Sequence, residues 1–179
     1  MATLIRYRPN LFDFPRQVYS DANFLISFYV TKNKWHKNAS LLLTELTTKG
    51  VEIHVSLLAV DEALCQLLRS SYEDQKGQGS WDRDKPLKKD PSLAASLQPN
   101  LDSFVRKLRT LPSVRLVDFP PSTASLVDDL LANIAADSLA PRDALHLAVL
   151  RAEGLTMIVT NDTDFDRVSD PAIRVLHFW

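Results

Sequence analysis

Apolar positions follow two periods along the chain. Residues 17–20, 51–55, 114–119, 157–160 and 173–178 are short apolar runs bounded by polar or turn residues, the pattern of strands buried in a parallel sheet. Between them the spacing is helical. Residues 35–49 place Ala39, Leu42, Leu43 and Leu46 on one side, with Gly50 as a stop. Ser56 is placed to cap a helix over 57–69, and 22–30 continues the first strand as a helical turn. Residues 101–111 and 123–136 read as helices, the second with Asp128, Asp129 and Asn133 on its polar side. Pro141 suits a first helical turn, 144–152 is apolar almost all round and predicts a buried helix, and Gly154 ends it. Strands alternating with helices in this way predict an α/β fold.

Two segments fit neither period. Residues 1–16 carry Pro9 and Pro15 and read as irregular, an N-terminal extension. Residues 70–100 carry Gly77, Gly79, Pro86, Pro91 and Pro99 among many charges, and read as an insertion or long loop with a short helix near 92–97. The expected organisation is a single domain over 1–179 with these two additions.

The chain has 179 residues, enough for one ordinary domain with a real core, and 45% are hydrophobic. Formal net charge is −1, so no global basic field announces nucleic acid; binding must rely on local patches or metal. Cys65 is the single cysteine and falls in an apolar helical pattern, which predicts a core position, argues against a disulfide scaffold and permits a reducing cytosol. Neither a signal peptide nor a membrane-spanning run is recognisable, so a cytoplasmic, membrane-free protein is expected.

The chemistry lies in the acids. Asp21 follows the first strand, Glu62 rides the helix after the second, Asp143 opens the buried helix, and Asp162 with Asp164 follows the fourth strand. All are expected on one sheet edge, where ligands of parallel sheets bind. Each has a structural role open to it: Asp21 as a cap, Glu62 as a solvated helix residue, Asp143 as a helix-start charge, Asp162 and Asp164 as turn formers. Their falling together is what points to chemistry. Converging carboxylates repel, so a cluster calls for a cation, and hard oxygen donors suit Mg²⁺ or Mn²⁺. Such a metal can activate water against a phosphodiester. No phosphate-cradling glycine loop, nucleophile-elbow serine or zinc-spaced histidine set competes. His146 lies one turn after Asp143 and reads as a buried histidine with a local partner.

The order of acids, the block Asp143-Ala144-Leu145-His146-Leu147-Ala148 and the block Thr160-Asn161-Asp162-Thr163-Asp164-Phe165 resemble the PIN-domain family, most of all its VapC-type toxins. The resemblance spans 18–176, with 70–100 unmatched. It implies a three-layer α/β/α fold around a parallel sheet of four to five strands. It implies a Mg²⁺- or Mn²⁺-dependent endoribonuclease acting on single-stranded RNA, with an antitoxin protein as partner and a homodimer left open. The family's acids carry over to Asp21, Glu62, Asp143 and Asp162, with Asp164 as a neighbouring metal ligand or an orienting residue, and Thr160 and Asn161 match polar residues beside the site. In 70–100, Trp81 and Lys85 stand among Lys76, Arg83, Lys88 and Lys89, an aromatic with cations that suits single-stranded nucleic acid; a solvated loop is the plainer reading. The alternative function is a non-catalytic scaffold of PIN-like fold that binds RNA or protein.

Overall fold

The apolar runs form strands of one all-parallel sheet. In the computed structural model, which describes residues 1–89, 91–118 and 123–179, the strands are β1 (Thr3–Arg6), β2 (Gln17–Ser20), β3 (Glu52–Ser56), β4 (Val114–Val117), β5 (Met157–Val159) and β6 (Arg174–His177). Their order is β1-β6-β5-β2-β3-β4. The sheet therefore has six strands among the described residues, against the four to five expected. The added one is β1, inside the segment read as irregular; its four residues pair with Arg174 to His177 at the sheet edge. Phe119, Pro120 and Pro121, read as the end of the fourth run and its punctuation, lie outside the described residues, as does Asp90 of the 70–100 segment.

Side-chain alternation builds the layers. Val18, Met157, Val159 and Leu176 are buried in one core, with α1 (Ala22–Tyr29), α2 (His36–Thr48), α3 (Leu57–Lys76) and α6 (Pro91–Thr110) against them. Tyr19, Ile158 and Val175, one step along each strand, are buried in a second core with α7 (Thr123–Asp137) and α8 (Pro141–Ala152). A three-layer α/β/α sandwich results, as expected. From β2 the chain steps outward to β3 and β4 and later returns to the other side of β2 with β5 and β6. The strand order thus reverses between β2 and β5, and a ligand crevice belongs beyond their carboxyl ends.

The 70–100 segment is helical rather than a long loop. Helix α3 runs on to Lys76, followed by α4 (Ser80–Asp84), α5 (Pro86–Lys89) and the start of α6. Tertiary contacts hold it: Arg69 donates to Asp82 at 2.7 Å, Tyr72 to Asp84 at 3.1 Å, and the Tyr72 and Trp81 rings meet edge-on at 6.0 Å. Two further expectations are corrected. Cys65 is exposed, because its helix turns that face away from the sheet. Asn133 is buried, donating to the Ala144 carbonyl at 3.0 Å and accepting from Arg151, so it faces α8 and not solvent.

The N-terminal segment is stapled at Tyr7 as well. Its hydroxyl donates to the buried Glu45 at 2.8 Å, and the Asn10 N–H adds a second bond at 3.1 Å. Tyr7→Phe removes a donor from a buried carboxylate and is expected to cost about 1–3 kcal/mol, read as a shifted urea midpoint at constant slope.

Candidate active site

Asp21 ends β2 and caps α1. Its carboxylate accepts the Phe24 N–H at 3.1 Å and the Thr160 hydroxyl. Thr160, fully buried where β5 ends, also accepts the Asp162 N–H at 2.8 Å. One hydroxyl thus orients Asp21 and the loop carrying Asp162, and Thr160 sits behind the acids, not on the cleft wall. Asp162 caps a 3₁₀ turn (Thr163–Arg167) by accepting the Asp164 N–H at 2.9 Å. Asp143 stands in the first turn of α8, just after Pro141. Glu62 comes from the second turn of α3.

These four acids line one cleft of about 520 Å³ with Arg142, His146 and Trp81. Arg69, Cys65 and Gln66 extend the same wall. Sequence reading missed Arg142, Arg69 and Gln66. The signal was available for two of them, since Gln66 and Arg69 lie four and seven residues after Glu62 and share its helix face. Lys85 lies apart, in a smaller groove on the other side of Trp81. Asp164 is turned to an ion pair with Arg167. Asn161 accepts the Phe178 N–H at 2.9 Å and lines a neighbouring groove.

The electrostatics are those of crowded carboxylates. Burial, aided by the Asp162 charge, pushes the Asp21 carboxyl up to about 6 against the opposing bonds from Thr160 and Phe24. Burial first, then the charge of Asp162, likewise pushes Asp143 up to about 6, with His146 opposing and Asp164 and Glu62 adding. Folded Asp21 therefore binds its proton more tightly than the unfolded chain, whose value is near 3.8. This contribution to stability is full below about pH 4 and lost as pH rises through about 6. Asp21→Asn keeps the cap and removes the effect. With chelator present, the parent is expected to lose up to roughly 3 kcal/mol relative to that variant between pH 4 and 7.5, measured by denaturant titration.

A buried hydrogen-bond chain underlies Glu62. His146 Nε2 meets Glu62 Oε2 at 2.9 Å, and Nδ1 meets the Tyr19 hydroxyl at 2.7 Å, itself 2.7 Å from Ser56 Oγ. Burial holds the Tyr19 phenol well above its ordinary value, so it stays a donor. With Tyr19 donating to Nδ1, His146 carries its proton on Nε2 and donates to Glu62. His146 is buried as expected, but its partners are distant in sequence, from β2 and α3. His146→Leu is expected to cost roughly 1–3 kcal/mol by removing the His146 bonds to Glu62 and Tyr19, which keep Arg142 and Ser56 respectively, while His146→Gln recovers part of it; thermal melts decide.

Among the described residues no three His, Cys, Asp or Glu side chains are spaced to hold a metal ion as they stand. The donor set itself suits a hard divalent cation: carboxylate oxygens, of which those of Asp21 and Asp143 bind protons more tightly through burial and the Asp162 charge. No helix among the described residues is long and apolar enough to cross a membrane.

The sequence matches the family model described as the PIN domain over residues 18–171. No curated protein matches it. Solved structures share the fold at low identity, three among them as follows. VapC20 of Mycobacterium tuberculosis, described as a Sarcin-Ricin loop cleaving toxin, aligns with a TM-score of 0.56 and 16% identity over 88% of this chain and 98% of its own. VapBC2 of Rickettsia felis, bound to a promoter DNA fragment, aligns at 0.55 and 17% over 91% and 99%. DNA-bound VapBC of Salmonella typhimurium aligns at 0.53 and 15% over 91% and 98%. The matched residues run from the strand before Asp21 to beyond the turn at Asp162, taking in every acid of the cleft, and the chain belongs to the PIN domain family.

Proposed function

We propose that the protein is a metal-dependent endoribonuclease that hydrolyses phosphodiester bonds of single-stranded RNA, and that it is the toxin of a toxin–antitoxin pair. The observation that carries the nuclease reading is the meeting of Asp21, Glu62, Asp143 and Asp162, from four separate elements, in one cleft. The toxin role and an antitoxin partner are supported by the fold shared with VapC20 and the VapBC complexes.

Asp21, Asp143 and Asp162 are the residues to hold Mg²⁺ or Mn²⁺, with Asp164 able to join once it leaves Arg167. When bound, the metal polarises a phosphate oxygen and lowers the pKa of water. Glu62, held through Oε2 by His146, orients the attacking water. Arg142, 3.7 Å from Glu62 Oε1, brings a positive charge to the same mouth and suits a substrate phosphate. Trp81 offers a stacking face in the same cleft, beside Arg69, whose guanidinium is paired with Asp82 and Glu73, with Lys85 beyond. Thr160 acts on substrate only through the acids that it orients.

The test is cleavage of a labelled single-stranded RNA with millimolar Mn²⁺ or Mg²⁺, with and without chelator. Metal-dependent cutting that chelator abolishes is the expected result. RNA or protein binding without cutting under any of these conditions would favour the scaffold reading instead. Trp81→Ala is expected to weaken RNA affinity by about 1–3 kcal/mol with little change in salt dependence, measured by fluorescence anisotropy.

A further inference from the structure

We propose that a second groove, adjoining the acid cleft, is a base-reading subsite for the nucleotide next to the scissile phosphate. The proposal rests on the ribonuclease reading above and concerns residues outside the acid set. The groove measures about 430 Å³, within the roughly 300–1,000 Å³ usual for small-molecule sites, and shares Asn23, Gln66 and Asp162 with the acid cleft. A strand crossing the acids therefore continues into it.

Its lining is unlike that of the cleft. Asp162 at the junction is its one carboxylate among the described residues; the rest includes carboxamides, Lys34 and the indole of Trp35. Three of the carboxamides, Asn161, Asn33 and Asn23, are each held at one end by a bond. Asn161 accepts the Phe178 N–H at 2.9 Å, which assigns its oxygen. Its NH₂ nitrogen is buried with no partner among the described residues. Asn33 accepts the Trp35 N–H at 2.9 Å, so its NH₂ is likewise the end left over. Asn23 is reversed: its NH₂ donates to Asp21 at 3.3 Å and its oxygen is left.

Oriented amide donors and an acceptor are what the hydrogen-bonding edges of an unstacked base require, whereas a phosphate calls for cations. Trp35 supplies the stacking face. One part of it packs on the core, and the Lys34 ammonium lies over its ring, 5.0 Å from the centroid; a stacking base takes that place and turns the ammonium to the flanking phosphate. The ligand class is thus a single-stranded RNA, with one base held on Trp35 and read by the free ends of Asn33 and Asn23.

The experiment measures binding of fluorescein-labelled U, A and C homo-oligomers by anisotropy in millimolar Mg²⁺, in an Asp143→Asn background that prevents cutting. Trp35→Leu is expected to weaken binding about 5- to 100-fold for every RNA, while Trp35→Phe recovers most of it. Asn33→Ala is expected to change the order of preference among the homo-oligomers. Lys34→Ala is expected to reduce the salt slope by about 0.7. Circular dichroism establishes that each variant is folded; should Trp35→Leu fail to fold, Asn33→Ala and Lys34→Ala, both on exposed or half-exposed positions, carry the test. Folded variants with unchanged affinity, order of preference and salt slope overturn the groove. Cleavage by the wild-type protein is scored separately: a wild-type chain that binds these RNAs through Trp35 and Asn33 yet never cuts them refutes the ribonuclease reading and leaves the groove standing.

Discussion

The Asp143→Asn protein is expected to fold normally and to have lost RNA cleavage by two orders of magnitude or more. The side chain keeps its shape and its place in the first turn of α8, but one carboxylate leaves a site where burial and the Asp162 charge already oppose ionisation. Without metal, the variant should therefore match the parent or exceed it by up to about 1 kcal/mol, once solvent screening of this half-exposed group is allowed for. Cleavage should fall by about 10²–10³ or more, the usual scale for losing one group that steadies transition-state charge. A residue serving only the helix dipole gives the reverse: a loss of about 0.3–1 kcal/mol and surviving activity. Melting temperature in chelator and RNA cleavage in Mn²⁺, measured on one preparation, separate the two. A destabilised, active variant would remove the foundation of the catalytic assignment.

Millimolar Mn²⁺ or Mg²⁺ should raise the melting temperature by roughly 5–10 °C. A ligand that binds only the folded state at 100 times its dissociation constant stabilises by about 2.7 kcal/mol, and a chain of this size gains about 2–4 °C per kcal/mol. The shift should shrink near pH 5, because Asp21 and Asp143, raised to about 6, must release protons before they can act as ligands. It should vanish with chelator and be much reduced in Asp21→Asn and Asp143→Asn. Calorimetric or fluorescence melts at pH 5 and pH 7.5 provide the check. No shift at either pH would mean that these carboxylates do not form a metal site, whatever else the cleft does.

The places of the acids were legible because strand ends and helix starts are written in short-range patterns. Asp21 and Asp162 end the apolar runs of β2 and β5, and Asp143 follows the Pro141 that opens α8. What escaped the sequence depends on contacts between distant residues. Residues 70–100 carry turn formers, and their short helices are held by Arg69 to Asp82 and Tyr72 to Asp84, which no local pattern announces. Strand β1 lies at an edge with most of its side chains exposed, so it lacks the alternation that marks a buried strand. Cys65 looked apolar by composition, yet it lies on the α3 face that follows Glu62 into the cleft. His146 shows the limit of periodicity most clearly. Spacing placed it one turn from Asp143, but its bonds to Tyr19 and Glu62 join residues 127 and 84 positions away.

The pairing of β1 with β6 sets an order on biosynthesis. Thr3 to Arg6 are made long before their partners and must wait for Arg174 to His177 before they gain a hydrogen-bonded neighbour strand. The intervening loop closure is among the longest this sequence permits, and such non-local pairings are slow steps in folding. The acid cleft obeys the same schedule, since Asp21 is held by Thr160 and β2 pairs with β5. A ribosome translating this message therefore carries a growing chain whose acids remain scattered until residues near 160 have emerged. The cleft is thus completed only after the chain that carries both β2 and β5 has been made.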